Sequence, residues 1–182
     1  TANGSTRTAQ LTISPPVPAS VTTYQGVTGG LSTSGMVTLT GDGPREGGPT
    51  IQLSSSNPAV ATVPASVTVG SRDDAVGFPI ATSSVVQTTV VTITATSGGV
   101  SKTAQLAVLV SAVSSLSFAP APVTGGQSST GHLTLTGPAP AGGLVASLSS
   151  SNSSAITLPE TVPIAAGTTT ANFLVPTTWV GQ

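Results

Sequence analysis

The chain has 182 residues, of which only 5% are charged, and four Lys and Arg against five Asp and Glu leave a net charge of −1. A typical soluble domain is roughly one-quarter charged, so neither nucleic acid nor an anionic membrane finds a basic surface here. Cysteine is absent, which excludes disulfide staples and thiolate chemistry.

Hydroxyl residues, 31 Thr and 26 Ser, replace charges as the polar surface, and hydrophobic residues at 37% are too many for a disordered Ser/Thr stalk. Thr and Val suit pleated strands, while 21 Gly and 15 Pro supply turns. The expectation is an all-β protein. No run approaches the roughly 18 apolar residues of a membrane helix, so membrane insertion is not expected. Thr1 starts in mid-pattern without the features of a leader, as a mature or excerpted piece of a longer chain would.

From the N-terminus, Ala9, Leu11 and Ile13 alternate with polar residues as in a strand, and Pro15-Pro16-Val17-Pro18 reads as a stiff linker. Val37 and Leu39 alternate with Thr38 and Thr40, and further apolar–polar runs lie at 51–53, 59–63 and 66–69. Val76, Phe78 and Ile80 form one inward row; Val91, Ile93 and Ala95 form another, followed by Ala104, Leu106 and Val108. Between these last two rows, Ser97-Gly98-Gly99 predicts a hairpin turn, because glycine supplies the positive φ that such turns need.

The pattern then returns. Gln52-Leu53-Ser54-Ser55-Ser56-Asn57 reappears as Ser147-Leu148-Ser149-Ser150-Ser151-Asn152, a shift of 95 that also carries Phe78 to Phe173 and Thr8-Ala9-Gln10-Leu11 to Thr103-Ala104-Gln105-Leu106. Val27-Thr28-Gly29-Gly30 reappears as Val123-Thr124-Gly125-Gly126 at a shift of 96, one residue being lost in the loop that holds Gly47-Gly48 and Gly142-Gly143. About seven short strands per period predict tandem immunoglobulin-like β-sandwich repeats of about 95 residues.

Leu53-Ser54-Ser55-Ser56-Asn57-Pro58-Ala59-Val60-Ala61-Thr62-Val63 resembles the signature of bacterial immunoglobulin-like (Big) repeats, and Ser97 to Ala104 resembles their closing hairpin. The second copy departs at Ser153-Ser154-Ala155-Ile156, where the proline is missing. The resemblance implies surface adhesins, stalks or extracellular fibres, and no catalytic residues to carry over.

The expected organisation is out of phase with the period: 1–14 as the orphan last strand of a preceding or neighbouring repeat, 15–112 as a complete sandwich, and 113–182 as a sandwich lacking its last two strands. Gln182 corresponds to Gln87, and about eight residues, one strand's length, separate the end of the second copy from the orphan strand. Two readings follow. The chain is an excerpt of a longer array, or Ala9, Leu11 and Ile13 complete a neighbouring subunit's sandwich as a donated strand.

Candidate chemistry is sparse. His132 is the lone histidine and falls on the Thr side of its strand, opposite no Cys or carboxylate in the pattern. No Gly-x-Ser-x-Gly elbow occurs, so no catalytic triad can be assembled. Asp42, Glu46, Asp73 and Asp74 lie in predicted loops, but no acidic set recurs in the second copy, so they read as solvated charges beside Arg45 and Arg72 and not as a Ca²⁺ site. Lys102, replaced by Arg7 in the orphan strand, reads as a solvated lysine near a turn. Trp179, at the position of Ser84, is expected to pack on the adjacent repeat, with a subunit contact as the alternative, and Tyr24 is the only other large polar aromatic. Asn3-Gly4-Ser5 and Asn152-Ser153-Ser154 fit the glycosylation pattern.

The functional expectation is a non-enzymatic structural segment of an extracellular, cell-surface fibre, needing no cofactor or metal and partnered by copies of itself head to tail. Near-zero net charge favours lateral association as well. The alternative is a stalk or spacer in a surface adhesin or secreted enzyme.

Overall fold

The structure, a computed structural model, describes residues 8–179. Alternation of Val, Ile, Leu and Phe with Thr and Ser dominates the chain, and no helix forms among the described residues. The first nine strands are β1 (Pro18–Thr23), β2 (Gly26–Thr28), β3 (Ser32–Leu39), β4 (Thr50–Ser55), β5 (Ala61–Thr62), β6 (Ser66–Thr68), β7 (Ala75–Thr82), β8 (Thr89–Ser97) and β9 (Val100–Leu109). They form two sheets, ordered β1-β3-β7-β5 and β2-β9-β8-β4-β6. Because successive side chains point to opposite faces, the sheets enclose Val37, Ile51, Phe78, Ile80, Val91, Ile93, Leu106 and Val108 between them. The intervening Thr and Ser form the wet outer faces.

The chain changes sheet between β1 and β2. β1 pairs with β3, whereas β2 runs parallel to β9 with Val27 opposite Val108. The β8–β9 hairpin turns as the sequence predicts. Ser97 pairs with Val100, and Gly98 and Gly99 between them have φ of 58° and 77°, the left-handed pair that a type I′ turn requires.

A second, smaller set follows: β10 (Val113–Ala119), β11 (Ser128–Leu135), β12 (Leu144–Ser147), β13 (Thr161–Ile164) and β14 (Thr170–Pro176). β10-β11-β14 form one sheet and β12-β13 another, around a separate core of Leu133, Leu135, Ala139, Ala146 and Ile164. Its three ladders, β10–β11, β11–β14 and β12–β13, match β1–β3, β3–β7 and β4–β6 of the first set. Gly35 faces Phe78 and Gly131 faces Phe173; Met36 faces Gly77 and His132 faces Asn172. A register shift falls between Pro18 and Ser20 in β1 and between Val113 and Ser115 in β10.

Loop hydrogen bonds correspond as well. Thr40 N–H donates to Val17 O and Thr136 N–H to Ala112 O; Gly43 N–H donates to Asp73 O and Ala139 N–H to Thr168 O; Leu53 N–H donates to Ala65 O and Leu148 N–H to Glu160 O. β1 and β10 correspond at a shift of 95 and β3 and β11 at 96, so the extra residue enters where Tyr24–Gly26 becomes Ala119–Pro122.

The sets differ where β8 and β9 stand. Among the described residues the second set has no strand in those places, and 122–124, which correspond to β2, form no strand. Burial follows. Val21 and Phe78 are 8% and 2% exposed in the first set. Leu116, in the place of Val21, is 44% exposed, and Phe173 is only half-buried.

Residues 8–17 carry no strand, and Leu11 and Ile13 are 84% and 85% exposed. The inward alternation expected of Ala9, Leu11 and Ile13 is therefore not formed within this chain. The place beside β8 is already taken by β9, whose Thr103-Ala104-Gln105-Leu106 is the same tetrapeptide as Thr8-Ala9-Gln10-Leu11. The remainder of the 1–14 segment, with Arg7 and Asn3-Gly4-Ser5, and the end at Gln182 lie outside the described residues.

Candidate functional site

The linker between the two sets is only Val110-Ser111-Ala112, between the end of β9 and the start of β10. So short a connection brings the ends of the sandwiches together, and the contact is built from glycines and a proline. On the first sandwich the receiving surface is Thr28-Gly29-Gly30, at the end of β2 and the start of the β2–β3 loop. Gly29 N–H donates to Leu109 O at 2.9 Å, which ties this loop to the end of β9 where the linker leaves. The Thr82 hydroxyl clips its other side, donating to Leu31 O at 2.6 Å and accepting from Gly30 N–H at 3.1 Å.

The entering surface is the Gly137-Pro138 corner after β11. A Cβ on Gly30 would collide with Cγ of Pro138, and one on Gly137 would lie 2.6 Å from the Thr28 methyl. Each side thus has a glycine where the other projects. Ser111, only 6% exposed, donates its hydroxyl to Pro138 O at 2.7 Å. The hydrogen bond fixes the corner to the linker, and the glycine contacts exclude side chains that would wedge the joint open. Beside the joint runs an open groove of about 320 Å³, walled by Val60, Val85 and Val86 on one side and Pro140 and Gly142 on the other. The repeated Val-Thr-Gly-Gly marked this segment only as part of the duplication; its partner corner lies more than 100 residues away in sequence.

A second feature is an apolar face of the second sandwich that the described residues leave open. Phe118, Pro122, Val123, Ile156 and Val175 line an apolar cavity of about 220 Å³. Phe118 partly shields Phe173, edge to face at 6.5 Å between ring centres.

The other singled-out residues are dispersed. His132 lies on β11 with Nδ1 2.9 Å from Asn172 Oδ1 on β14, a cross-strand partner that spacing along one strand did not reveal. Asp42, Glu46, Asp73 and Asp74 are exposed loop residues, and no group of three potential metal ligands exists among the described residues. Lys102 is exposed on β9. Tyr24, 65% exposed, borders a shallow depression with Met36 and Gly77 on the outer face of the first sandwich. Asn152 Oδ1 accepts from the Ser154 hydroxyl at 2.7 Å in an exposed turn. Trp179, expected to pack on an adjacent repeat, lies away from the first sandwich. It is 85% exposed at the far end of the second, with its indole against Gly126.

No protein-family model matches the chain, and no curated protein matches it. Among solved structures it is similar to domains 5–6 of the S-layer protein SbsC, at 14% identity and TM-score 0.36 over 89% of this chain and 85% of that one. It is also similar to titin domains Z1Z2 in complex with telethonin, at 14% identity and TM-score 0.31 over 93% and 98%. A Salmonella alpha-2-macroglobulin matches at 10% identity and TM-score 0.37 over 91% of this chain and 14% of that one. Scores of this size leave the fold to rest on the strand pairing itself.

Proposed function

We propose that the chain is a structural, non-catalytic segment of an extracellular, cell-surface fibre, made of tandem immunoglobulin-like sandwiches of about 95 residues joined end to end. The observation that carries this reading is the joint. A three-residue linker and the Gly30–Pro138 contact hold two sandwiches with corresponding pairings against each other. The correspondence of hydrogen bonds at shifts of 95 and 96 supports a duplicated unit. The near absence of charge supports a chain meant to associate rather than to stay dispersed. The function is then mechanical: tension passes along each sandwich through its strand ladders and between sandwiches through the linker, while the joint limits bending.

Electron microscopy of native material tests this reading, with immunogold labelling on intact cells. The expected result is label outside the cell on thin threads whose axial period matches one sandwich or a pair. Label confined to the cell interior, or to compact particles, would overturn it.

A further inference from the structure

We infer that the far end of the second sandwich, formed by Thr124, Gly126 and Trp179, is a docking surface for a second copy of this chain, which enters with its Gly41–Pro44 corner. The inference rests on the end-to-end reading above and names the surfaces such an array would use. The internal joint is the template. Thr28 and Gly30 receive Gly137-Pro138 there, and their counterparts on the second sandwich are Thr124 and Gly126, within the same Val-Thr-Gly-Gly sequence. Part of the frame is also shared. Leu31 N–H donates to Thr28 O as Gln127 N–H donates to Thr124 O, and the Thr177 hydroxyl donates to Gln127 O as that of Thr82 donates to Leu31 O. The Gly29–Leu109 bond has no counterpart among the described residues.

The entering corner is equally prepared. Gly41 is the counterpart of Gly137. Gly43 N–H donates to Asp73 O at 2.8 Å as Ala139 N–H donates to Thr168 O at 2.9 Å, so the two corners share a conformation. Yet a Cβ on Gly41 would meet nothing within 4 Å, whereas one on Gly137 would press on Thr28. The corner of the first sandwich has the same shape, and none of the described residues seats against it.

Three positions differ between the internal joint and the proposed one. Pro16 stands in the place of Ser111, whose hydroxyl holds Pro138 O, and the other two differ together. Ser84, whose hydroxyl abuts Gly30, is replaced by Trp179 abutting Gly126; Pro138 is replaced by Asp42. Trp179 places indole Cδ1 and Nε1 3.0 and 3.3 Å from where a Cβ on Gly126 would stand. A corner seated as in the internal joint brings the Asp42 carboxylate to that side of Gly126. Indole N–H is a donor without acceptor capacity and a carboxylate accepts, so the exchanged pair remains complementary. A Trp 85% exposed at the centre of such a surface is also the residue type that most often anchors an interface.

Sedimentation equilibrium of the chain from about 1 μM to about 1 mM, the range of weak specific contacts, tests the inference with two variants. Gly41→Val enters open space in the free chain, so its fold is retained, but the added methyls meet Thr124 in the docked state. Trp179→Ala removes an exposed ring. The expected result is head-to-tail association of the unmodified chain, weakened roughly tenfold or more by either change. An equimolar mixture of the two variants keeps one good corner and one good receptor, so it should form pairs of near-unmodified affinity that grow no further. No association at about 1 mM overturns the inference. So does association that neither change weakens, as contact through the uncovered Phe118–Val175 face would give. In either case the fibre reading still stands or falls on the native threads.

Discussion

Phe78 and Phe173 sit in the middle of inward rows, and each ring lies over a glycine on the neighbouring strand. A Cβ on Gly35 would collide with Cζ of Phe78, and one on Gly131 with Cζ of Phe173. The glycine leaves a slot in the pleat, and the aromatic ring fills it. Phe78→Ala should cost about 3–5 kcal/mol in denaturant unfolding of the first sandwich, since the ring is 2% exposed. Phe173→Ala should cost less, because its ring is covered on one side chiefly by Phe118. Gly35→Val should itself cost about 1–3 kcal/mol by overpacking. Equal losses for the two Phe variants would mean that the second core is closed as fully as the first. The inward rows were legible because alternation is a property of adjacent residues. The glycine slots were not, because Gly35 and Phe78 meet only through strand pairing. The same reason hid the His132–Asn172 contact.

At the scale of elements, legibility followed length and turn chemistry. β3, β7, β8 and β9 carry eight to ten residues each, enough alternation to be read without a structure. β2 carries three residues; it exists because β9 offers ladder partners, and no local pattern announces it, whereas β5, of two residues, lies inside the apolar–polar run at 59–63. The segment 8–14 shows the converse. Its Leu11 and Ile13 alternate like the Leu106 and Val108 of β9, yet it forms no strand, because a strand is a relation between two chains of backbone and β9 already occupies the place. Two outcomes follow. Gly98→Val should destabilise the first sandwich by about 1–2 kcal/mol, the cost of a left-handed side chain, whereas Gly98→Asn should be better tolerated; thermal unfolding of both variants checks this. In hydrogen exchange, amides of β11 and β14 should open at lower free energy than those of β8 and β9. The latter pair lies inside a five-stranded sheet over a closed core. Equal protection of the two sets would show that the second needs no further cover.

Over the whole molecule, the property that matters is whether two sandwiches move as one. Their cores are separate, so no shared core welds them, and rigidity depends on the contacts at the joint. Gly137 is the position at which to test it. A Cβ there would meet the Thr28 methyl at 2.6 Å, Thr28 Cβ at 3.3 Å and Gly29 O at 3.4 Å as its three nearest neighbours, all of them across the joint. Gly137→Val should therefore leave both sandwiches folded and push them apart. Ser111→Ala should loosen the same contact more mildly, since it removes one hydrogen bond worth about 0.5–1.5 kcal/mol and leaves the glycine surfaces matched. Residual dipolar couplings measured separately on 18–109 and 113–176 read the result. In the unmodified chain both sets should report one alignment tensor, as parts of a single rigid body. In Gly137→Val the two tensors should diverge while the chemical shifts of each interior stay in place. Two different tensors in the unmodified chain would mean that the linker is a free hinge. A thread built from such units would then bend at every connection, and the joint would contribute neither stiffness to a fibre nor a template for docking a second copy.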